Sequence, residues 1–187
     1  MKDRGDSGAL PQADRFRGCL LGLAGGDALG TTLEFQPPGT FEPIEDMVGG
    51  GPFRLEPGQW TDDTDMALCL AESLIENGGF DAADQMRRYV RWWREGHLSS
   101  TGTCFDIGNT IRSALMKFEA TGEPFSGGTH PHSAGNGSIM RLAPVPLFFA
   151  GDPETAIESV TTPTPPGRST GRSPGRLTEL AASRPIG

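Results

Sequence analysis

Apolar side chains recur at helical spacing in several stretches of this chain, and long loops rich in glycine and proline separate them. The clearest pattern is Met66, Ala67, Leu70, Leu74 and Ile75, which predicts a helix from about Asp62 to Asn77. Before it, Asp14 opens a helix with Phe16, Cys19, Leu20, Leu23 and Ala24 on one face. After it, Asn77-Gly78-Gly79 forms a C-cap and turn, and Asp81 with Asp84 starts a third helix in a short form of the capping box. Met86, Tyr89, Val90 and Trp93 make its buried stripe, while Arg87, Arg88, Arg91 and Arg94 fall largely on a solvated face. A fourth helix runs from about Cys104 to Ala120, with Ile107, Ile111, Ala114, Leu115 and Phe118 inward. Pro144 and Pro146 interrupt the segment Ile139 to Ala150, which is a kinked helix at best.

Polar residues gather where these helices begin and end. Gln59-Trp60-Thr61-Asp62-Asp63-Thr64-Asp65-Met66 crowds carboxylates and hydroxyls into the start of the second helix. Thr61 takes the N-cap position, and Asp62 and Asp63 the first turn, where the helix dipole favours anions. Spacing aligns Asp63 with Ala67, Leu70 and Leu74, and a carboxylate turned toward a core is costly unless a cation meets it. Two readings stand: a well-capped helix with an acidic first turn, or a seat for a hard cation such as Mg²⁺ or Ca²⁺.

Asp27 continues the stripe of Leu20, Leu23 and Ala24 among Gly22, Gly25, Gly26 and Gly30. Either the glycines bring a ligand or a backbone close to it, or Asp27 caps a neighbour at a tight helix crossing. Glu34, between Leu33 and Phe35, reads by itself as a solvated or capping carboxylate. Gly49-Gly50-Gly51-Pro52 reads as a flexible mouth or hinge, and no Lys-Ser/Thr follows to make it a P-loop. Asp106 lies near the start of the fourth helix, open by spacing to solvent or to a site. The loop from Thr121 to Gly137 carries His130 and His132, an exposed pair rather than metal ligands. In Gly135-Asn136-Gly137-Ser138 the glycines allow close backbone approach to an anion or sugar, and Ser138 caps the segment that follows.

Composition narrows the partners. The 187 residues suffice for one domain with a sizeable core. A net charge of -8 argues against nucleic acid, and an anionic ligand would need added cations. Cys19, Cys69 and Cys104 are too few and scattered for a disulfide framework or zinc site and read as core packing. No apolar run approaches membrane-spanning length and Met1 to Ala13 has no signal-like core, so the expected compartment is the cytoplasm, without a membrane partner. The expected organisation is a disordered leader over 1–13, a domain over 14–160, and a disordered low-complexity tail over 161–187, rich in Pro, Gly, Ser, Thr and Arg.

Four ordered motifs are Arg17-Gly18-Cys19 through Gly25-Gly26-Asp27-Ala28-Leu29-Gly30, then Trp60-Thr61-Asp62-Asp63-Thr64 with Met66, then Phe105-Asp106-Ile107-Gly108-Asn109-Thr110, then Gly135-Asn136-Gly137-Ser138-Ile139-Met140-Arg141. With Glu34 between the first two, the stretch from roughly Asp14 to Ala150 resembles the N-terminal part of an ADP-ribosylglycohydrolase, the family that includes the dinitrogenase reductase activating glycohydrolases. The resemblance implies an all-α, compact orthogonal helix bundle with two magnesium ions, sometimes manganese, in a central cleft. It implies metal ligation by Thr61, Asp62 and Asp63, catalytic roles for Glu34, Asp62 and Asp106, and ADP-ribose binding by Gly135, Asn136, Gly137 and Ser138. The implied reaction is metal-assisted hydrolysis of the glycosidic bond between ADP-ribose and a protein side chain or small molecule. An ADP-ribosylated protein or small ADP-ribose conjugate is then the partner.

One departure changes the expectation. Members of the family carry a second acidic metal motif, Asp-x-Asp-Thr, toward the C-terminus. The acids after Ala150 are Asp152, Glu154, Glu158 and Glu179, and none stands in such a run. The sequence therefore reads as a truncated family member with an unrelated or frame-shifted tail and impaired activity. Its alternatives are a non-catalytic ADP-ribose-binding module and an inactive structural fragment whose apolar faces need a partner.

Overall fold

The helices form where the apolar periods place them, with informative exceptions. The computed structural model describes residues 10–128 and 135–161. Within them α1 is Gln12–Gly30, α2 Asp62–Asn77, α3 Ala82–Glu95, α4 Asn109–Thr121, α5 Pro144–Phe148 and α6 Pro153–Thr161. Short 3-10 turns cover Thr31–Leu33 and Asn136–Ser138. The described residues contain no named strand, only an isolated bridge between Gly50 and Leu55, so the all-α expectation holds.

Helix α2 is the hub. It packs against α1, α3 and α5, while α3 also meets α4 and α5 meets α6. Its N-terminal half supplies Met66 and Cys69 to a core with Tyr89, Trp92 and Leu115. Its C-terminal half supplies Leu70 and Leu74 to a second core with Val145, edged by Phe80, Phe148 and Phe149. The helix ends at Gly78, whose left-handed φ of 63° suits a residue without Cβ, and Gly79 N–H donates to the Leu74 carbonyl at 3.1 Å. Asp81 caps α3 as expected, accepting from Asp84 N–H at 2.8 Å.

Several expectations need correction. Ile75 is 68% exposed and does not share the stripe of Leu74. Trp92, unexposed, is the centre of the first core, whereas Trp93 is only half-buried. Arg88 is not solvated: it pairs with Glu72, Glu76 and Asp84 and ties α3 to α2. Helix α4 starts at Asn109 rather than near Cys104, because Asp106 takes a φ of 51° and Gly108 is extended.

Helix α1 begins at Gln12, inside the expected leader, and it is lightly packed: Ala28 is its buried residue and Cys19 is exposed. Cys19 therefore packs no core here, while Cys69 is buried and Cys104 half-buried. A Cβ at Gly22, Gly25, Gly26 or Gly30 would meet nothing within 4 Å, so among the described residues these glycines mark no close approach. Helix α6 was not anticipated, although Asp152-Pro153-Glu154 is a start signal; Asp152 accepts from Thr155 N–H at 3.2 Å and Thr155 Oγ1 at 2.8 Å. Residues 1–9, His130 and His132, and the tail from 162 onward lie outside the described residues.

Neighbouring residues on α2 give a direct test of this packing. Leu74→Ala should lower unfolding free energy by about 2–5 kcal/mol, because Leu74 is buried between α2 and α5. Ile75→Ala should cost about 0.5 kcal/mol or less. Equal losses in denaturant titrations of the two variants would contradict the placement of α5.

Candidate active site

The site is built on the first turn of α2, and a carboxylate from α1 holds that turn. Asp27 accepts from Thr61 N–H at 3.1 Å, Thr61 Oγ1 at 2.7 Å, Thr64 N–H at 3.1 Å and Thr64 Oγ1 at 2.6 Å. Of the two readings of Asp27, the cap of a neighbouring helix is the one observed. Thr61 stands at the N-cap position, but its own side chain makes no capping bond; the hydroxyl donates to Asp27 instead. The anion sits where the helix dipole favours it, and its oxygens satisfy donors that α2 cannot satisfy internally.

A second carboxylate fixes the same turn from below. Asp65 is fully buried and accepts from Trp60 Nε1 at 2.8 Å and Trp92 Nε1 at 2.7 Å. The residue before the acidic turn is thus tied to the centre of the first core. Ser100 Oγ donates to the Trp60 carbonyl at 2.6 Å and closes the brace from the segment after α3. Burial pushes Asp65 up to about 7, against the lowering effect of the indole bonds.

Around this turn the acids act on one another. Asp62 is 7% exposed, and burial first, then the charges of Asp106, Asp63 and Asp27, push it up to about 8. Half-buried Asp63 is raised by desolvation and by Asp27. Asp106 is raised to about 6 by desolvation and then by Glu34, Asp63 and Asp27. Glu34 is raised chiefly by desolvation and further by Asp63 and Asp27, while the Thr31 hydroxyl, 3.5 Å away, opposes the shift. Glu34, Asp62, Asp63 and Asp106 therefore belong to one electrostatic neighbourhood. Among the described residues, though, no three His, Cys, Asp or Glu side chains converge closely enough to hold a metal ion by themselves.

The loop that delivers Glu34 is braced rather than flexible. Thr32 Oγ1 donates to the Gly49 carbonyl at 3.1 Å. Gly51 has a φ of 66°, and a Cβ there would lie 2.5 Å from the Thr31 carbonyl oxygen. The expected mouth or hinge at Gly49-Gly50-Gly51 is thus a tight turn pressed against the exit of α1.

Gly135, Asn136 and Ser138 are exposed. Asn136–Ser138 forms a 3-10 turn, and its Asn136 carbonyl accepts from Ile139 and Met140 N–H at 2.8 and 3.1 Å. Ser138 does not cap a helix; Ala143 holds that position before α5. A Cβ on Gly137 would lie 2.8 Å from Ile111 Cδ1, which presses the turn against the first turn of α4. Arg141 lies 4.7 Å from the Tyr89 ring centroid and 3.8 Å from Met66 Sδ. The turn thus leans on α4, which follows Asp106, and on α2, which carries Asp62.

The sequence model of ADP-ribosylglycohydrolase matches residues 9–164. This chain belongs to the ADP-ribosylglycohydrolase family. It is 55% identical over 135 residues to the ADP-ribosylarginine hydrolase Tri1 of Serratia proteamaculans (strain 568), a match covering 72% of this chain and 37% of that protein. It is 40% identical over 147 residues to the ADP-ribosyl-[dinitrogen reductase] glycohydrolase of Rhodospirillum rubrum, over 75% of this chain and 46% of that protein. Among solved structures, an ADP-ribosylglycohydrolase-related protein complex superposes with a TM-score of 0.66 at 46% identity, over 82% of this chain and 50% of that one. The chain therefore spans half or less of the length of these relatives.

The chemistry of the donors suits a hard divalent cation in this ADP-ribosylglycohydrolase domain. Thr61, Asp62 and Asp63 offer hydroxyl and carboxylate oxygens, and the unneutralised negative charge around Asp62 is what such an ion relieves. They fit as part of a coordination sphere, not as a whole one. Of the two supporting acids, the sequence reading missed Asp65. The Asp27 cap was only one of two readings, and nothing in the spacing marked Asp65 as a clamp, since its Trp92 partner lies 27 residues away.

Two measurements check this arrangement. Asp27→Ala, which strands four donors, should cost about 2–4 kcal/mol in chemical denaturation, and Asp27→Asn less because one acceptor oxygen stays. For pH the sign follows from raised acids: Asp62 and Asp106 keep protons in the folded chain that the unfolded chain, near 3.8, has released. Metal-free stability should therefore fall as pH rises from 4 to 8, with Tm dropping on the order of 5–10 °C. The slope should flatten in Asp62→Asn; a Tm that rises over this range would refute the burial of Asp62.

Proposed function

We propose that this chain provides the ADP-ribose-binding side and the first metal-ligand set of an ADP-ribosyl hydrolase, acting on ADP-ribose joined to arginine. The observation that carries the reading is the partly buried, mutually repelling acid group of Asp62, Asp63, Asp106 and Glu34, built around a turn locked by Asp27. Relatives of two kinds, named for ADP-ribosylarginine and for ADP-ribosylated dinitrogen reductase, support the substrate class.

Glycosidic hydrolysis passes through an oxocarbenium-like centre, which carboxylates stabilise electrostatically. Asp106, held at about 6, is suited to take a proton from water and return one to the leaving group near neutral pH. Glu34, on its braced loop, feels the charges of Asp63 and Asp27 and would add negative charge beside the reacting carbon. Thr61, Asp62 and Asp63 would hold Mg²⁺, or Mn²⁺, which when bound supplies positive charge for the ribose hydroxyls and the attacking water. Gly135, Asn136, Gly137 and Ser138 would hold the ADP-ribose through backbone N–H groups and short polar side chains.

Among the described residues no three His, Cys, Asp or Glu side chains converge as metal ligands, which favours one second reading, ADP-ribose binding without turnover. Calorimetry with Mg²⁺ and ADP-ribose, paired with an assay on ADP-ribosylated arginine, separates the two. The hydrolase reading expects Mg²⁺ binding that Asp62→Asn with Asp63→Asn weakens at least tenfold, and arginine release that a chelator stops. ADP-ribose binding that survives chelator without release would favour the binding module. No heat with either ligand would refute both.

A further inference from the structure

Three phenylalanines flank the acid group, and the function just described does not use them. Phe35 directly follows Glu34, Phe105 directly precedes Asp106, and Phe53 joins them. The Phe35 and Phe53 ring centroids are 6.3 Å apart at 72°, and those of Phe53 and Phe105 are 5.4 Å apart at 55°. Phe35 is 76% exposed and has a φ of 62°. A bulky residue in the left-handed region carries a steric cost, and leaving its ring in water forgoes the gain of burial. Among the described residues the edge contact with Phe53 offsets these costs only in part. Strain and exposure of this kind, at a position next to a reacting acid, point to a ligand contact.

We propose that Phe35, Phe53 and Phe105 form a shelf that receives the planar guanidinium of the acceptor arginine, and so select the linkage presented to Glu34 and Asp106. This rests on the hydrolase reading above and names the part of the site that recognises the acceptor.

The charge fits. Aromatic faces are electron-rich, and the charged groups acting on Glu34 and Asp106 are all carboxylates. A cation is therefore drawn there. A guanidinium is flat, weakly hydrated and stacks on phenyl faces, whereas an ammonium is strongly hydrated and a serine oxygen carries no charge. The shelf thus favours an arginine linkage over a lysine or serine one. Phe35 and Phe105 are the chain neighbours of Glu34 and Asp106, so a guanidinium on the shelf is held by the same two segments that carry those acids.

The test uses the full chain, with variants at the exposed Phe35 so that folding is spared. Phe35→Ala should weaken binding of ADP-ribosylarginine by about two- to thirty-fold, the range of a cation–π contact, and leave binding of free ADP-ribose unchanged. Phe35→Tyr, which keeps the ring, should restore it. An unchanged ADP-ribosylarginine affinity in Phe35→Ala, or an equal loss of both ligands, overturns the proposal. A second arm titrates methylguanidinium and, separately, butylammonium against wild type, followed by the NMR shifts of the phenylalanine ring protons. Shifts with methylguanidinium alone, lost in Phe35→Ala, support the shelf; equal shifts with both cations, or none, overturn it. Failure of free ADP-ribose to bind wild type would instead count against the hydrolase reading, and the methylguanidinium arm would still judge the shelf.

Discussion

The site depends on one carboxylate that comes from outside its acidic turn. Asp27 reaches from α1 to the open end of α2 and takes donors from both threonines of the acidic turn. Such charge-assisted bonds at a helix N-terminus are among the stronger ones available to a protein. They also carry a conflict. The anion that orders the turn contributes to raising Asp62, Asp63, Glu34 and Asp106, so local order and an unmet demand for positive charge have the same source. An electrostatically strained acid group held in fixed geometry is what a preorganised cation site requires.

The remaining architecture divides into a firm side and a light side. Helices α2, α3 and α4 enclose Trp92, Tyr89, Met66 and Leu115. The Arg88 cluster fastens α3 to α2 with Glu72, Glu76 and Asp84. Helix α1 is held mostly by Asp27 and Ala28, with Leu21 72% exposed. Regions with few buried apolar contacts open at lower free energy than the core. Glu34, at the exit of α1, therefore depends on its loop brace at Gly49 and Gly51, while Asp62 is carried by the firmer helix α2.

How much could be read beforehand follows the range of the interactions. Helix α2 and the inward face of α4 were legible because period and caps are local. The Asp81 cap was legible for the same reason. The start of α4 was not, because Asp106, a residue with a side chain, leaves helical geometry through a left-handed φ. Arg88 looked solvated because its partners Glu72 and Glu76 come from another helix. Asp65 is the clearest case. By composition it is one more acid in an acidic turn, and only the tertiary fold turns it into a buried acceptor. For the candidate site residues, the motif order brought the right side chains to attention, whereas Asp27 and Asp65, which support them, act through space.

The Trp60–Asp65–Trp92 contact has a consequence for how this protein varies. An indole has one polar hydrogen, and here both indoles direct theirs to the same buried acid. Replacing either ring with phenylalanine removes one of the acid's indole donors, and replacing the acid leaves two nitrogens without their acceptor. The three positions are thus energetically coupled: a change at one alters the cost of a change at the other two.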